Sequence, residues 1–349
     1  MPLLFHTAQS GSGDESCRAD CVTIGLINNM PDAALAATER QFAELIRAGA
    51  RDTDVRLMLF SIAEVPRGET ARQAMAARYR DVGELWNTTL DGLIVTGTEP
   101  KSKNLKDEPY WARLAQIIGW ARESTASTIW SCLAAHAAVL ACDGIERRPF
   151  AEKLSGVFDC VPAQAHPIMR SVPLPMRIPH SRCNDLPERA LAAAGYRILT
   201  RSRAAGVDMF ARQDRGFHLF MQGHPEYEAG TLLREYRRDV GRYLRGKRRD
   251  YPAMPRGYFD EKATAVLDAF RARAREDRRS ELFASFPAPR IEAGLSGSWR
   301  SSAIALYGTW LEYLKGRKAE RRSTLVPRRR AWRDWPPRGA PEAGDSPAA

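Results

Sequence analysis

The stretch "STIWSCLAAHAAVLA" at residues 127–141 joins two different periodicities. Its first part is an apolar run that ends at Cys132, as in a buried strand, and its second part is rich in alanine, which favours a helix. The sequence therefore predicts a strand–helix junction with a cysteine at the turn. In an open α/β sheet such junctions lie beyond the carboxyl ends of the strands, where binding and catalytic sites form.

The same alternation recurs before this junction. Apolar runs at 21–29, 54–62 and 91–100 are predicted strands, and amphipathic stretches at 33–50 and 108–124 are predicted helices. Strands that alternate with helices of this length are typical of βαβ units. The predicted fold is therefore α/β: a flavodoxin-like, mostly parallel sheet with helices on both faces.

After residue 150 the pattern changes to short β-forming runs, which indicate a smaller and partly antiparallel region. These runs are "EKLSGVFDCV", "YRILTRS", "VDMFARQ" and "FHLFMQG". Two further helices are predicted near 259–276 and 299–315. The predicted organisation is a flexible leader at 1–20, a catalytic α/β domain at 21–250, a C-terminal helical part of the same domain at 251–315, and a disordered basic tail at 316–349.

Composition narrows the class of protein. With 44% hydrophobic and 27% charged residues, the chain is typical of a soluble globular protein. It has no apolar run of the roughly 18–20 residues that span a bilayer, and its start lacks the basic and apolar regions of a signal peptide. A cytoplasmic location is expected. The six cysteines show no paired metal spacing, so free thiols and no metal site are predicted.

The net charge of +11 is concentrated in the tail. The last 34 residues hold nine Lys and Arg against four Asp and Glu, which is +5. The segment "PRRRAWRDW" interleaves arginine with tryptophan, a combination found in nucleic-acid contacts. A solvated tail is the simpler interpretation, because the segment shows no periodicity. Nucleic acid is therefore not an expected partner.

Cys132 has a candidate base in the segment "FMQGHPEYEAG". A thiol at a helix N-terminus lies at the positive end of the helix dipole, which favours the thiolate, and the Leu133 N–H could donate to an oxyanion. His224 and Glu226 lie just past a predicted strand, and alternate residues of extended chain point to the same side. A carboxylate that holds one imidazole nitrogen leaves the other as a base. Cys132, His224 and Glu226 are therefore a candidate nucleophile, base and orienting acid.

The chain resembles the homoserine O-acyltransferases of methionine biosynthesis, whose fold is similar to that of class I glutamine amidotransferases. The resemblance runs from about residue 22 to 315. The motifs that carry it, in order, are "INNMP" with "TERQF", "DGLIVTG", "PYW", "EKLSG", "PHSR", "HPEY" with "REYRRDV", and "SWRS". Several separated motifs agree in order and spacing, so the match is specific.

The resemblance implies a ping-pong reaction through an acyl-thioester on Cys132, with His224 as the general base. It implies a second oxyanion donor near Gly97 and places Lys153, Ser181 and Arg238 at substrate-binding positions. The expected substrates are L-homoserine and an acyl-CoA as co-substrate. Neither a metal nor a tightly bound cofactor is expected, and a homodimer is plausible.

Departures from the family pattern leave alternatives open. Lys101 stands in "VTGTEPKSKNL" where the family has a residue associated with the choice of acyl group. A lysine would attract the free carboxylate of a succinyl group, so succinyl-CoA is favoured over acetyl-CoA. Another hydroxy amino acid remains an alternative acceptor. A glutamine-amidotransferase-like amide hydrolase is a rival, although "S-C-L-A" lacks the glycines of its nucleophile turn, and a non-enzymatic binding module is the least favoured.

Overall fold

The computed structural model describes residues 3–6, as backbone, and residues 20–323. The strands are β1 (Leu3–His6), β2 (Val22–Ile27), β3 (Val55–Ser61), β4 (Tyr79–Asp81), β5 (Gly92–Val95), β6 (Ser127–Ser131), β7 (Arg148–Pro162), β8 (Met176–Asp185), β9 (Arg197–Ser202), β10 (Gly206–Gln213) and β11 (Phe217–Met221). The helices are α1 (Asp32–Gly49), α2 (Glu69–Ala76), α3 (Trp111–Ser124), α4 (Leu133–Asp143), α5 (Glu188–Ala193), α6 (Thr231–Leu244), α7 (Glu261–Glu276), α8 (Ala288–Glu292) and α9 (Arg300–Ser323).

The sheet has the strand order β1-β3-β2-β5-β6-β11-β10-β9-β7-β8, with β4 beside β3. All pairs from β1 to β11 in this order are parallel. The pairs from β11 to β8 are antiparallel. The prediction of a mostly parallel sheet that leads into an antiparallel region is confirmed.

Helices cover both faces of the parallel half. Successive strand residues point to opposite faces, so Ile129 packs with α1 and α9 while Trp130 packs with α3 and α4. Tyr307 and Trp310 of α9 are fully buried on the first face. Burial on both faces explains why these strands read as continuous apolar runs. Within the described part of the chain, no helix has both the length and the apolar character needed to cross a membrane.

The C-terminal helical part has its own apolar core. Side chains of α6, α7 and α8 form a separate buried cluster that includes Tyr236, Val240 and Phe270. The indole N–H of Trp299, just before α9, donates to the carbonyl of Tyr227 at 2.7 Å. This bond connects the helical part to the carboxyl edge of the sheet.

Three sequence predictions need correction. The predicted flexible leader contains an edge strand, because the β-forming residues 3–6 pair in parallel with β3. The predicted disordered tail begins too early, because α9 continues to Ser323 and Lys318 donates to Asp91 Oδ2 at 2.7 Å. Cys21 is disulfide-bonded, whereas the cysteines at 132, 142, 160 and 183 are free thiols as predicted. The rest of the leader, 1–2 and 7–19, and of the tail, 324–349, lies outside the described residues.

Candidate active site

The site forms where β6 and β11 end side by side. Ser131 of β6 is the register partner of Met221 of β11. The backbone N–H of Cys132 continues the pairing by donating to the carbonyl of Met221 at 2.7 Å. Because both strands run in the same direction, the residues that follow them leave the sheet at the same edge. This register brings Cys132 and His224 together from positions 92 residues apart in the chain.

Cys132 occupies a strained turn at the start of α4. It is half-buried, with φ 53° and ψ −115°, and it is one of two non-glycine residues with positive φ in the described chain. An L-residue adopts this conformation only when its surroundings impose it. The sharp turn places Cys132 between the last residue of β6 and the first residue of α4.

His224 lies between the thiol and a carboxylate. Its Nδ1 is 2.8 Å from Glu226 Oε1, and the Cys132 thiol is close enough to raise the pKa of the imidazole. Burial lowers the pKa of His224, but the charges and hydrogen bonds of Cys132 and Glu226 raise that pKa well above its usual value. The arrangement therefore favours the imidazolium form of His224.

The contact between His224 and Glu226 arises from a turn and not from extended chain. The Tyr227 N–H donates to the His224 carbonyl at 3.2 Å, which folds the segment back on itself. The extended geometry predicted for residues 224–226 is therefore wrong. The two side chains meet because the turn closes over the same sheet edge.

Gly97 and Leu133 lie against each other beside Cys132. A Cβ on Gly97 would be 2.9 Å from both the backbone nitrogen and the Cβ of Leu133, so only glycine allows this approach. Asn29, from the "INNMP" motif, anchors the loop: its backbone N–H donates to Thr96 Oγ1 at 2.8 Å and its side chain to the Thr96 carbonyl at 3.1 Å. The two backbone segments proposed for the oxyanion thus lie in contact.

A cluster of polar side chains adjoins His224. The His224 ring stacks on Tyr227, with ring centroids 4.2 Å apart. The Tyr227 hydroxyl donates to Glu235 Oε1 at 2.6 Å, and the Ser181 hydroxyl donates to Glu235 Oε2. Lys153 Nζ lies 3.2 Å from Glu235 and 3.1 Å from Asp239. Lys153 and Ser181, predicted to bind substrate, thus meet at one carboxylate.

Glu235 is the residue of this cluster that the sequence analysis missed. Burial raises the pKa of its carboxyl group, but the charge of Lys153 and the hydrogen bonds from Ser181 and Tyr227 lower it to below its usual value. Its only sequence signal was its place in "REYRRDV", one helical turn before Arg238. Arg238 is exposed and its Nε donates to Asp239 at 3.2 Å, so the guanidinium lies at the solvent-facing side of the same cluster.

Lys101 lies on the exposed loop that follows Gly97. The buried Glu108 accepts the backbone N–H groups of Lys101 and Ser102 through Oε1, at 2.6 and 2.5 Å, and so closes the loop. Glu99 pairs with Arg242 of α6 at 3.1 Å. No carboxylate among the described residues pairs with the Lys101 ammonium, which faces solvent.

The sequence comparisons with known proteins all point to the same family. A sequence model of the family described as homoserine O-succinyltransferase matches residues 8–320. A homoserine O-succinyltransferase of Rhodopseudomonas palustris is 48% identical over 86% of this chain and 90% of its own length. Those of Bradyrhizobium japonicum and Thiothrix nivea are 47% and 39% identical, over 84% and 89% of this chain and 90% and 91% of their own lengths.

Similar solved structures are more distant. A glutamine amidotransferase from Methylobacillus flagellatus has a TM-score of 0.48 at 14% identity, over 84% of this chain and 95% of that chain. One from Thermotoga maritima has a TM-score of 0.44 at 11% identity, over 84% of this chain and 98% of that chain. No function follows from likenesses at this distance.

Proposed function

Because the chain belongs to the homoserine O-succinyltransferase family, we propose that it transfers the succinyl group of succinyl-CoA to the γ-hydroxyl of L-homoserine, a step of methionine biosynthesis. The observation that carries the proposal is that Cys132 and the buried His224 follow the paired ends of β6 and β11, with His224 Nδ1 2.8 Å from Glu226 Oε1. The proposal includes a cytoplasmic location and treats acyl-CoA as a dissociating co-substrate.

In the first half-reaction the Cys132 thiolate attacks the thioester carbonyl carbon of succinyl-CoA. The carbonyl oxygen becomes an oxyanion, for which we propose the N–H of Leu133 and the Gly97 segment as donors. The tetrahedral intermediate collapses with cleavage of the bond to the CoA sulfur. The imidazolium of His224 protonates the departing CoA thiolate, which leaves a succinyl-thioester on Cys132 and a neutral imidazole.

In the second half-reaction homoserine enters the site that CoA has left. The neutral His224 takes the proton of the γ-hydroxyl as its oxygen attacks the thioester. The new ester forms as the intermediate expels the Cys132 thiolate, and the thiolate–imidazolium pair is restored. Glu226 holds the imidazole in one orientation through both steps.

The polar cluster suits the two charges of an amino acid. The terminal nitrogens of Arg238 donate to no described group, so they are placed to receive the substrate carboxylate. Glu235 is the ionised group that would receive the ammonium. Lys153 already pairs with two carboxylates, so we propose that it fixes Glu235 and Asp239 in place and does not bind the substrate as an isolated charge.

Trapping the intermediate separates this proposal from its rivals. The enzyme is incubated with succinyl-CoA, acetyl-CoA or glutamine, without acceptor, and the mass of the peptide that holds Cys132 is measured by mass spectrometry. We expect a succinyl group on that peptide and O-succinylhomoserine after addition of homoserine, with serine as the comparison acceptor. Ammonia release from glutamine without acylation by either CoA thioester would instead support an amide hydrolase, and no reaction at all would support a binding module.

Lys101 gives a prediction about the acyl donor. The exposed ammonium would attract the free carboxylate of a bound succinyl group, and an exposed contact of this kind is worth up to about fivefold in a rate constant. Lys101→Glu is therefore expected to lower kcat/KM for succinyl-CoA by about fivefold or more, and to lower it less for acetyl-CoA, because only the succinyl group is repelled. The measurement is the ratio of the two specificity constants.

The matched control is Lys106→Glu, which makes the same charge change at an exposed position of the same loop. It should change both donors equally. Equal losses with both donors in Lys101→Glu would assign the lysine to the CoA moiety, and no loss would remove Lys101 from the donor site.

A further inference from the structure

A second buried pair of a histidine and a carboxylate lies against Gly223, next to His224. His180 of β8 and Asp208 of β10 are 0% and 1% exposed, and His180 Nε2 is 3.2 Å from Asp208 Oδ1. His180 belongs to the "PHSR" motif, in which only Ser181 has been given a role. Burying two ionisable side chains costs free energy unless they have partners. The groups around His180 and Asp208 therefore indicate what the pair does.

The partners of the pair define its hydrogen-bonding state. The buried Arg182 donates from Nε to His180 Nδ1 at 3.3 Å, so that nitrogen is an acceptor and the ring proton lies on Nε2, facing Asp208. Thr200 donates to the other carboxylate oxygen of Asp208 at 2.8 Å. Burial is the main reason that the pKa of His180 is lowered, with the charges of Arg182 and His224 acting in the same direction. His180 is therefore a neutral imidazole whose Nε2 faces Asp208 Oδ1 at 3.2 Å without completing a hydrogen bond, while Thr200 holds the other carboxylate oxygen.

The pair is in contact with the main chain that leads to the catalytic base. A Cβ on Gly223 would lie 2.7 Å from Asp208 Oδ1 and 2.9 Å from His180 Nε2. On either side of this contact, the Gln222 N–H donates to the Asp208 carbonyl at 2.8 Å and the His224 N–H donates to the Pro179 carbonyl at 2.7 Å. Three consecutive residues, 222–224, thus rest on the strand segments that carry the pair.

We propose that His180 and Asp208 are a positioning pair. They fix the position of the main chain of residues 222–224 relative to the sheet, so that the His224 imidazole reaches the Cys132 thiol. Neither side chain touches the reacting atoms. The pair acts through Gly223. Because glycine has no side chain, the main chain at this residue can pack directly against His180 and Asp208. Ser181 follows His180 on β8. The same strand therefore positions both the catalytic base and the polar cluster proposed to bind the substrate.

A metal site is the competing interpretation of these side chains. The ligand atoms of Cys160, His180 and Asp208 lie within 4.8 Å of one another, and all three residues are buried. However, the Arg182 guanidinium donates to His180 Nδ1, and its positive charge next to the imidazole disfavours a cation there. Burial also raises the pKa of the Cys160 thiol, which keeps it protonated. The group is better matched to an internal polar network than to a cation.

The inference rests on the proposed Cys132–His224 pair and can be tested without an acyl donor. The rate at which iodoacetamide alkylates the Cys132 peptide is followed against pH, because this rate reports the thiolate. His180→Leu and Asp208→Leu should shift the half-maximal pH upward and lower kcat by about 10²-fold, the effect of a displacement of about 1 Å. Asp208→Asn, which keeps the shape and an acceptor oxygen, should retain most of the wild-type profile.

Two further variants keep the test decisive if the leucine variants do not fold. Gly223→Ala leaves the pair intact but forces the main chain away from it, and should shift the alkylation profile in the same direction. Cys160→Ala removes a buried neighbour and leaves both His180 and Asp208 in place, and should lower thermal stability without moving the profile.

Two results would overturn the inference. One is an unchanged alkylation profile in both Asp208→Leu and Gly223→Ala despite a lower melting temperature, which would make the pair a stability element only. The other is stoichiometric zinc in the purified wild-type protein that is lost in Cys160→Ala. If the variants changed the alkylation profile as expected but the wild-type protein were not acylated by succinyl-CoA, the proposed reaction would be contradicted and the positioning role would still be supported.

Discussion

Replacing Cys132 with alanine is expected to abolish acyl transfer and formation of the acyl-enzyme. The thiol is the atom proposed to carry the succinyl group, and the alanine side chain has no group that can replace it. The measurement is the rate of O-succinylhomoserine formation, together with the mass of the peptide that holds residue 132 after incubation with succinyl-CoA. Unchanged folding is checked by thermal melting.

The other free cysteines supply the controls. Burial raises the pKa of Cys142 to about 11 and also raises that of Cys160, so both are inert thiols at neutral pH. Cys183 is exposed on β8 and lies outside the Cys132–His224 contact. Cys142→Ala and Cys183→Ala should therefore keep wild-type turnover. More than a few per cent of wild-type turnover in Cys132→Ala would refute the assignment of the nucleophile.

Changing Glu226 to glutamine is expected to lower turnover by about 10²–10⁴-fold, the range seen when a catalytic base loses its orienting acid. The buried carboxylate is 2.8 Å from His224 Nδ1 and is one of the groups that raise the pKa of that imidazole. The neutral amide removes this contribution, so the pKa of His224 falls. The imidazolium is then lost at lower pH, and the alkaline limit of the thiolate–imidazolium pair moves down.

Glu228→Gln is the matched control for this prediction. Glu228 lies two residues further along and pairs with Arg40 and Arg234 at the surface, so the same chemical change occurs without contact to His224. We expect its turnover and pH profile to be close to wild type. If Glu226→Gln also kept its rate and its alkaline limit, Glu226 would be a buried structural carboxylate and the orienting role would be withdrawn.

Local sequence patterns were sufficient for the parallel half of the molecule and for the strand–helix junction that holds Cys132. The apolar run and alanine-rich segment around Cys132 specify a strand and a helix through residues that are adjacent in the chain. The "GHPE" segment likewise brings His224 and Glu226 together within a few residues, although the turn that does so was not foreseen. These features depend on neighbours a few positions apart, and periodicity records such neighbours directly.

The remainder was decided by contacts between distant segments. The position of β1 beside β3, the continuation of α9 to Ser323, and the clustering of Lys153 with Glu235 all depend on partners far apart in sequence. The same holds for His180 and Asp208, which meet only because β8 and β10 flank the segment that ends β11. The sequence by itself determined the strand–helix alternation and the turn at Cys132. It did not determine the charged pairs, because periodicity carries no information about the distant partner of a charged residue. The tertiary structure alone decided which buried charges meet, because strand pairing sets their distance and burial makes a partner necessary.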